Sequence, residues 1–206
     1  MTGASAKAIG TWDRAEHAYQ HYLAYIASKP DKHALSFPDL VYVKNFKGGS
    51  TVVAEPAATL PAKLQQYEQA LRAASKDSSF SRSLRGLDDH EFEKVKQAIV
   101  AFVALAQRPE ARINGFGVSF SSALLHFYFP SLVPILDRRA VNGANLKGIE
   151  VDSQDQVSNL LQLYPALMDY FRSKLCEDPK LSLRELDRHL FSRELRRPPF
   201  RGKDDG

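Results

Sequence analysis

Apolar residues recur at helical spacing along most of the chain. Trp12, Ala15, Tyr19, Tyr22, Leu23 and Ile26 share one face of a helix that Pro30 ends. Leu64, Tyr67, Leu71 and Ala74 predict a second helix over 62–74, after the breaks at Pro56 and Pro61. Phe92, Val95, Ile99, Phe102, Val103 and Ala106 predict a third over 91–107, with Asp88 or Asp89 as its N-cap. The stretch 119–129 is rich in apolar and small residues and holds neither glycine nor proline. Asp137 opens a short helix over 138–145. Leu160, Leu163, Leu167 and Phe171 predict a long helix over 154–175, interrupted or restarted near Pro165. Leu183, Leu186, Leu190 and Leu195 predict a last one, opened by a Ser182–Glu185 capping box.

One segment reads differently. Leu40 to Phe46 and Thr51 to Ala54 are β-branched and aromatic runs separated by Lys47-Gly48-Gly49-Ser50, which predicts a β-hairpin over 40–54. Its tip, residues 45–49, is a polar turn with a second reading as a phosphate or DNA contact. Residues 1–11 and 197–206 are expected to be disordered. The expectation is a mainly α single domain spanning 1–206, with two helical lobes around a cleft and one small β-hairpin.

Composition narrows the classes. The 206 residues are 44% hydrophobic and 25% charged, as in ordinary soluble domains. A net charge of +4 permits nucleic-acid binding without demanding it. No segment is a polybasic tail, since residues 151–206 hold 10 Lys+Arg against 10 Asp+Glu, so any DNA affinity must come from a patch formed by folding. Cys176 is the one cysteine, which excludes an internal disulfide and a four-cysteine iron–sulfur cluster. No cofactor is therefore expected. No apolar run approaches the length of a membrane span, and Met1 to Gly10 lacks the apolar core of a signal peptide, so a cytoplasmic location with no membrane contact is the default. His17 and His21 stand at a metal-compatible spacing without a third ligand, and read as a solvated helix face.

The most informative stretch is Ile113-Asn114-Gly115-Phe116-Gly117-Val118-Ser119, between the third and fourth apolar helices. Glycines suit a tight turn that takes unusual dihedrals and meets another backbone closely. The helix after it begins with unpaired N–H groups, a site for a phosphate oxygen. Asp137 follows twenty positions after Gly117, at the end of Pro134-Ile135-Leu136-Asp137.

The segment GFGVSFSSALLHFYFPSLVPILD resembles the helix-hairpin-helix and catalytic-aspartate region of the endonuclease III superfamily of DNA glycosylases, nearest to the adenine mismatch glycosylase pattern. The resemblance covers about 25 to 30 residues and implies a helix-hairpin-helix over 91–129. It implies duplex DNA as partner, gripped by Ile113 through Ser119 with a monovalent cation at the Gly115–Gly117 turn. Asp137 would be the catalytic carboxylate. Base excision breaks an N-glycosidic bond through a cationic sugar, which a nearby carboxylate stabilises once the base has left the stack. Lyase-type members carry lysine at the position of Ser119, and serine forms no imine, so the resemblance implies a monofunctional glycosylase.

Arg138 and Arg139 depart from the family, whose positions after the aspartate are small, polar or histidine. Two bulky cations there either meet phosphates or pair with Asp137 and silence it. Asp137 also has a purely structural reading as an N-cap, and His126 reads as a packed residue. A DNA-binding or scaffolding module of the same fold without the chemistry is the alternative.

Overall fold

In a computed structural model, the structure describes residues 3–48, 52–154 and 156–195. Eight α-helices run through them: α1 Gly3–Ser28, α2 Phe37–Lys47, α3 Leu60–Lys76, α4 Asp89–Ala104, α5 Val118–Tyr128, α6 Arg138–Gly143, α7 Leu160–Glu177 and α8 Leu183–Leu195. None is long and apolar enough to cross a membrane. The mainly α class is as expected. Helix α1 begins well before Trp12, so residues 3–11 are helical rather than irregular, while Met1, Thr2 and residues 197–206 lie outside the described residues.

The predicted β-hairpin is absent. Residues 37–47 form α2, and the described residues 52–54 form no strand; Thr51 lies outside the description. The reason is visible in the residues just upstream. Ser36 donates from both its backbone N–H and its hydroxyl to Asp39 Oδ2, at 2.8 and 2.9 Å, and Pro38 occupies the first turn, where its missing N–H costs nothing. Leu40, Val43 and Phe46 then fall on one helical face and are buried. Helical period thus overrides the β propensity of the run. The Asp39 carboxylate is itself buried and is satisfied by Tyr22 Oη at 2.9 Å and Lys29 Nζ at 3.0 Å. Gly48, left-handed at φ 64°, ends the helix instead of turning a hairpin.

Helix α2 lies between α1 and α5. Phe127 of α5 meets Tyr22 of α1 edge-on at 4.5 Å and Phe46 of α2 at 5.1 Å between ring centres. Helix α4 packs on α5 and α7, with Phe92, Val95, Ile99, Phe102 and Val103 buried as the apolar stripe anticipated. Its N-cap is Asp88, in a capping box with Glu91. Helix α7 starts at Leu160, later than expected, and runs unbroken through Pro165.

The connector 130–137 is pinned by α5 and α7. Ser122 Oγ accepts from Leu136 N at 2.9 Å, a His126 Nδ1–H donates to Val133 O at 2.7 Å, and Tyr164 Oη donates to Pro134 O at 2.6 Å. These bonds fix where Asp137, at the connector's end, enters α6. His126 is fully buried, and that burial lowers its pKa to about 4, so it is a neutral packing residue. Helix α8 lies against α6 so closely that a Cβ on Gly143 would stand 2.8 Å from Leu190 O.

Candidate functional site

Asp137 caps α6: its Oδ1 accepts from Ala140 N at 2.8 Å. Its Oδ2 is held by Lys47 Nζ at 2.5 Å, a lysine at the end of α2 and 90 residues away in sequence. Burial pushes the Asp137 carboxyl up, but Lys47, the Ala140 N–H and Arg139 outweigh it and hold it below the usual carboxylate range. Asp137 is therefore ionised at neutral pH, both an N-cap and a charged group. Its partner is Lys47, not the neighbouring arginines. Arg138 is exposed, and Arg139 lies over the Phe191 ring at 4.3 Å.

These groups border a small cleft between α1, α2, α6 and α8. Trp12, Phe46 and Phe191 give it aromatic walls, and Lys47, Asp137, Arg139, Arg184 and Asp187 supply the charge. Its cavity is about 50 Å3, room for a water molecule or two. Arg184 stacks over Trp12 at 4.1 Å and Tyr19 at 4.8 Å, and reaches Asp187 Oδ2 at 3.0 Å. Burial, then the charge of Asp137, raises the Asp187 carboxyl to about 6 against the pull of Arg184. One cleft thus holds a carboxylate kept ionised and a carboxyl poised near neutrality, the separation that acid–base chemistry uses.

Asp187 also carries a stability prediction. Its folded pKa lies above the ordinary 3.8, so its stabilising contribution is full below about pH 4 and is lost as pH rises through about 6. Asp187→Asn should raise stability at pH 8 by on the order of 2 kcal/mol and change it little at pH 4. Thermal melts at both pH values measure this, and an equal effect at the two would contradict it.

No family model, curated protein or solved structure matches the chain.

The glycine-bearing connection between α4 and α5 divides into two parts. Ile113 and Phe116 are buried, with Phe116 stacked on Phe120 at 5.6 Å, so their side chains brace the turn instead of facing a ligand. Asn114 is engaged by the preceding segment: its O accepts from Ala54 N at 2.9 Å and its N–H donates to Glu55 Oε2 at 3.0 Å. Lys63 in turn holds Glu55 at 2.6 Å. Gly115, at φ 82°, faces Val52 O, which would lie 2.0 Å from an added Cβ. The close backbone approach expected of these glycines is thus real, but it is made to the chain's own segment 52–55.

Gly117, Val118 and Ser119 form the open part. Gly117 is the N-cap of α5 with no side-chain cap, and a Cβ there would meet nothing within 4 Å. The amides of Val118 and Ser119 stand in the first turn, where no carbonyl one turn back can bond them. Ser119 O accepts from Ser122 Oγ at 2.9 Å, and Ser122 holds Leu136, so the open end of α5 and Asp137 are tied by one short chain of contacts. The carbonyls of Ile113, Asn114 and Gly117 each accept backbone N–H groups.

Sequence reasoning misses Asp187, Arg184, Trp12 and Phe191 as site residues, and meets Lys47 only as part of the tip 45–49 with its second reading as a phosphate or DNA contact. Asp187 has a signal, being an acid on the apolar face of α8 beside Leu183, Leu186 and Leu190. Trp12 reads as core from its spacing, and it is both buried and part of the cleft wall. Elsewhere His17 and His21 are exposed, and Cys176 is an exposed thiol near the end of α7. Among the described residues no group of three His, Cys, Asp or Glu could hold a metal ion.

Proposed function

We propose that the protein binds duplex DNA through a helix-hairpin-helix, α4 and α5 with their connection, and excises a base at the Asp137 cleft. The observation that carries this reading is an ionised Asp137 in an aromatic and cationic cleft, tied through Ser122 to the uncapped start of α5. The open amides of Val118 and Ser119 grip a phosphate, helped by the positive end of the helix dipole. The extruded nucleotide enters between Trp12 and Phe191, which must part, since the cavity admits only water. Asp137 then stabilises the cationic sugar as the N-glycosidic bond breaks.

A second reading has one observation in its favour. Lys47 neutralises Asp137, and the cavity beside it has room only for a water molecule or two. On that reading the same fold binds DNA without chemistry.

Binding itself is tested at Gly117. The backbone there, φ −83° and ψ −172°, is open to any residue, so Gly117→Val leaves the fold intact while its side chain stands in front of the α5 amides. The variant should bind all duplex sequences more weakly by a common factor, with a shallower loss of affinity as salt rises, because a phosphate contact displaces counterions. Fluorescence anisotropy on two unrelated duplexes over a salt series measures this. Equal affinity of variant and wild type removes the phosphate site. Absence of any DNA binding by the wild type at low salt removes both readings.

A further inference from the structure

A second cavity shares Arg184 with the Asp137 cleft and none of that cleft's other lining residues. It measures about 250 Å3 against about 50 Å3, space for about eight water molecules at ~30 Å3 each. Its walls come from separate stretches of chain that hydrogen bonds tie together. Leu84 N–H, in the turn Leu84–Gly86, donates to Ser131 O at 2.9 Å, shortly after α5. Arg85, from the same turn, donates through both terminal nitrogens to Pro179 O and Leu181 O, in the link from α7 to α8. The cavity is thus built by the fold itself, as small-molecule sites largely are.

The lining has the chemistry of an anion site with room for an organic body. Among the described residues that line it, Arg85 and Arg184 carry charge and none carries a carboxylate. Arg184 shares its charge with Glu16 at 3.3 Å and Asp187 at 3.0 Å. Arg85 differs: among the described residues its guanidinium donates only to carbonyl oxygens, so no negative group answers its charge. Those bonds engage two of the five N–H groups that a guanidinium carries. The start of α8 adds positive potential, since Ser182, Leu183 and Arg184 all line the cavity and the first-turn amides have no carbonyl one turn back. Glu185 offsets part of that potential by accepting from Ser182 N at 2.8 Å, but it is not part of the lining.

The remaining surface separates one organic body from another. Ser83 and Ser131 offer hydroxyls that make no hydrogen bond among the described residues, and Pro130, Leu175 and Leu183 form an apolar wall. The one aromatic ring, Tyr19, is already packed against Phe127 at 4.9 Å and covered by Arg184 at 4.8 Å. It leaves no free face on which a nucleobase could stack.

We propose that this cavity binds a sugar phosphate of about pentose size, with the phosphate on Arg85 beside the start of α8 and the sugar hydroxyls on Ser83 and Ser131. A guanidinium matches phosphate oxygens through parallel N–H bonds, which makes arginine the side chain suited to this ion. A bare phosphate would leave much of the space empty, and a neutral sugar would leave Arg85 unanswered. The site does not depend on the base-excision reading.

Calorimetric titration of the full chain with ribose 5-phosphate, inorganic phosphate and ribose, each alone, tests the proposal. Ribose 5-phosphate should bind with a Kd of about 1 mM or tighter, inorganic phosphate at least about tenfold more weakly, and ribose without measurable heat. Arg85→Lys keeps the charge but loses the planar fork, and should weaken ribose 5-phosphate about tenfold. Ser131→Phe puts a ring into the cavity without touching an arginine and should abolish binding. Ser131 is exposed and holds Leu84 through its backbone carbonyl, so this second variant keeps the fold even if Arg85→Lys does not. Absence of ribose 5-phosphate binding by the wild type overturns the proposal. So does undiminished binding by Ser131→Phe, or equal affinity for inorganic phosphate. A duplex oligonucleotide added to the complex should leave ribose 5-phosphate in place. Displacement by the duplex would assign the cavity to nucleic acid and overturn the proposal as well.

Discussion

Asp137→Asn should reduce base release by at least about 10²-fold while leaving duplex binding intact or slightly tighter. The substitution keeps the shape of the side chain. The amide oxygen still accepts from Ala140 N, so α6 keeps its cap, while the amide NH2 takes the place of Oδ2 and no longer accepts from Lys47. What disappears is the negative charge, and with it the stabilisation that a cationic sugar receives in the transition state but not in the ground state. Removing that charge also lessens repulsion of the phosphates, which gives the binding change its sign. The assay is a panel of duplexes carrying oxidised, deaminated, alkylated and mismatched bases, with binding measured in parallel. Release by Asp137→Asn at the wild-type rate, on whichever base the wild type removes, would show that the carboxylate has only its structural role.

The second large effect is on stability. Gly115→Val should destabilise the protein by about 3 kcal/mol or more, whereas Gly117→Val two residues later should be close to neutral. Gly115 has φ 82°, which a β-branched residue strongly resists, and its Cβ would stand 2.0 Å from Val52 O. Segment 52–55 must then lift away. That breaks the Ala54 N to Asn114 O bond and the Glu55 contact to Asn114 N, and leaves the Glu55–Lys63 pair without its anchor. Urea unfolding of the two variants side by side measures the contrast. Similar midpoints for both would mean that segment 52–55 does not pack on the turn.

These two glycines also show where sequence reading succeeds and where it stops. The helices with clean apolar stripes, α1 from Trp12 onward, α3, α4 and α8, are legible because burial of one face is a local pattern. Residues 40–46 mislead because their β-branched and aromatic composition masks the Ser36–Asp39 capping box and the spacing of Leu40, Val43 and Phe46. The repeat of Gly115 and Gly117 marks a turn, but not that one glycine faces the chain's own backbone and the other faces open space. That difference depends on segment 52–55, about 60 residues upstream.

The candidate site is legible in its centre and not in its surroundings. Asp137 is singled out by the resemblance of segment 115–137 to the glycosylase family, and by its own residues reads only as an N-cap. Lys47 is not singled out, because the Lys47–Asp137 contact depends on α2 being a helix that ends beside α6, and the composition of α2 reads as a strand. Arg138 and Arg139 are near in sequence and so attract the role that Lys47 fills. Asp187 and Phe191 reach the cleft only because Gly143 lets α8 approach α6.

The central claim is that Asp137 faces a cationic sugar. It can be tested without knowing which base is removed, by measuring affinity for a duplex with one cationic pyrrolidine in place of a deoxyribose against the same duplex with a neutral tetrahydrofuran there. The wild type should prefer the cationic site by about 10²-fold, as transition-state mimics are preferred, and Asp137→Asn should lose most of that preference. Equal affinity of the wild type for the two duplexes, or a preference that Asp137→Asn retains in full, would contradict the claim.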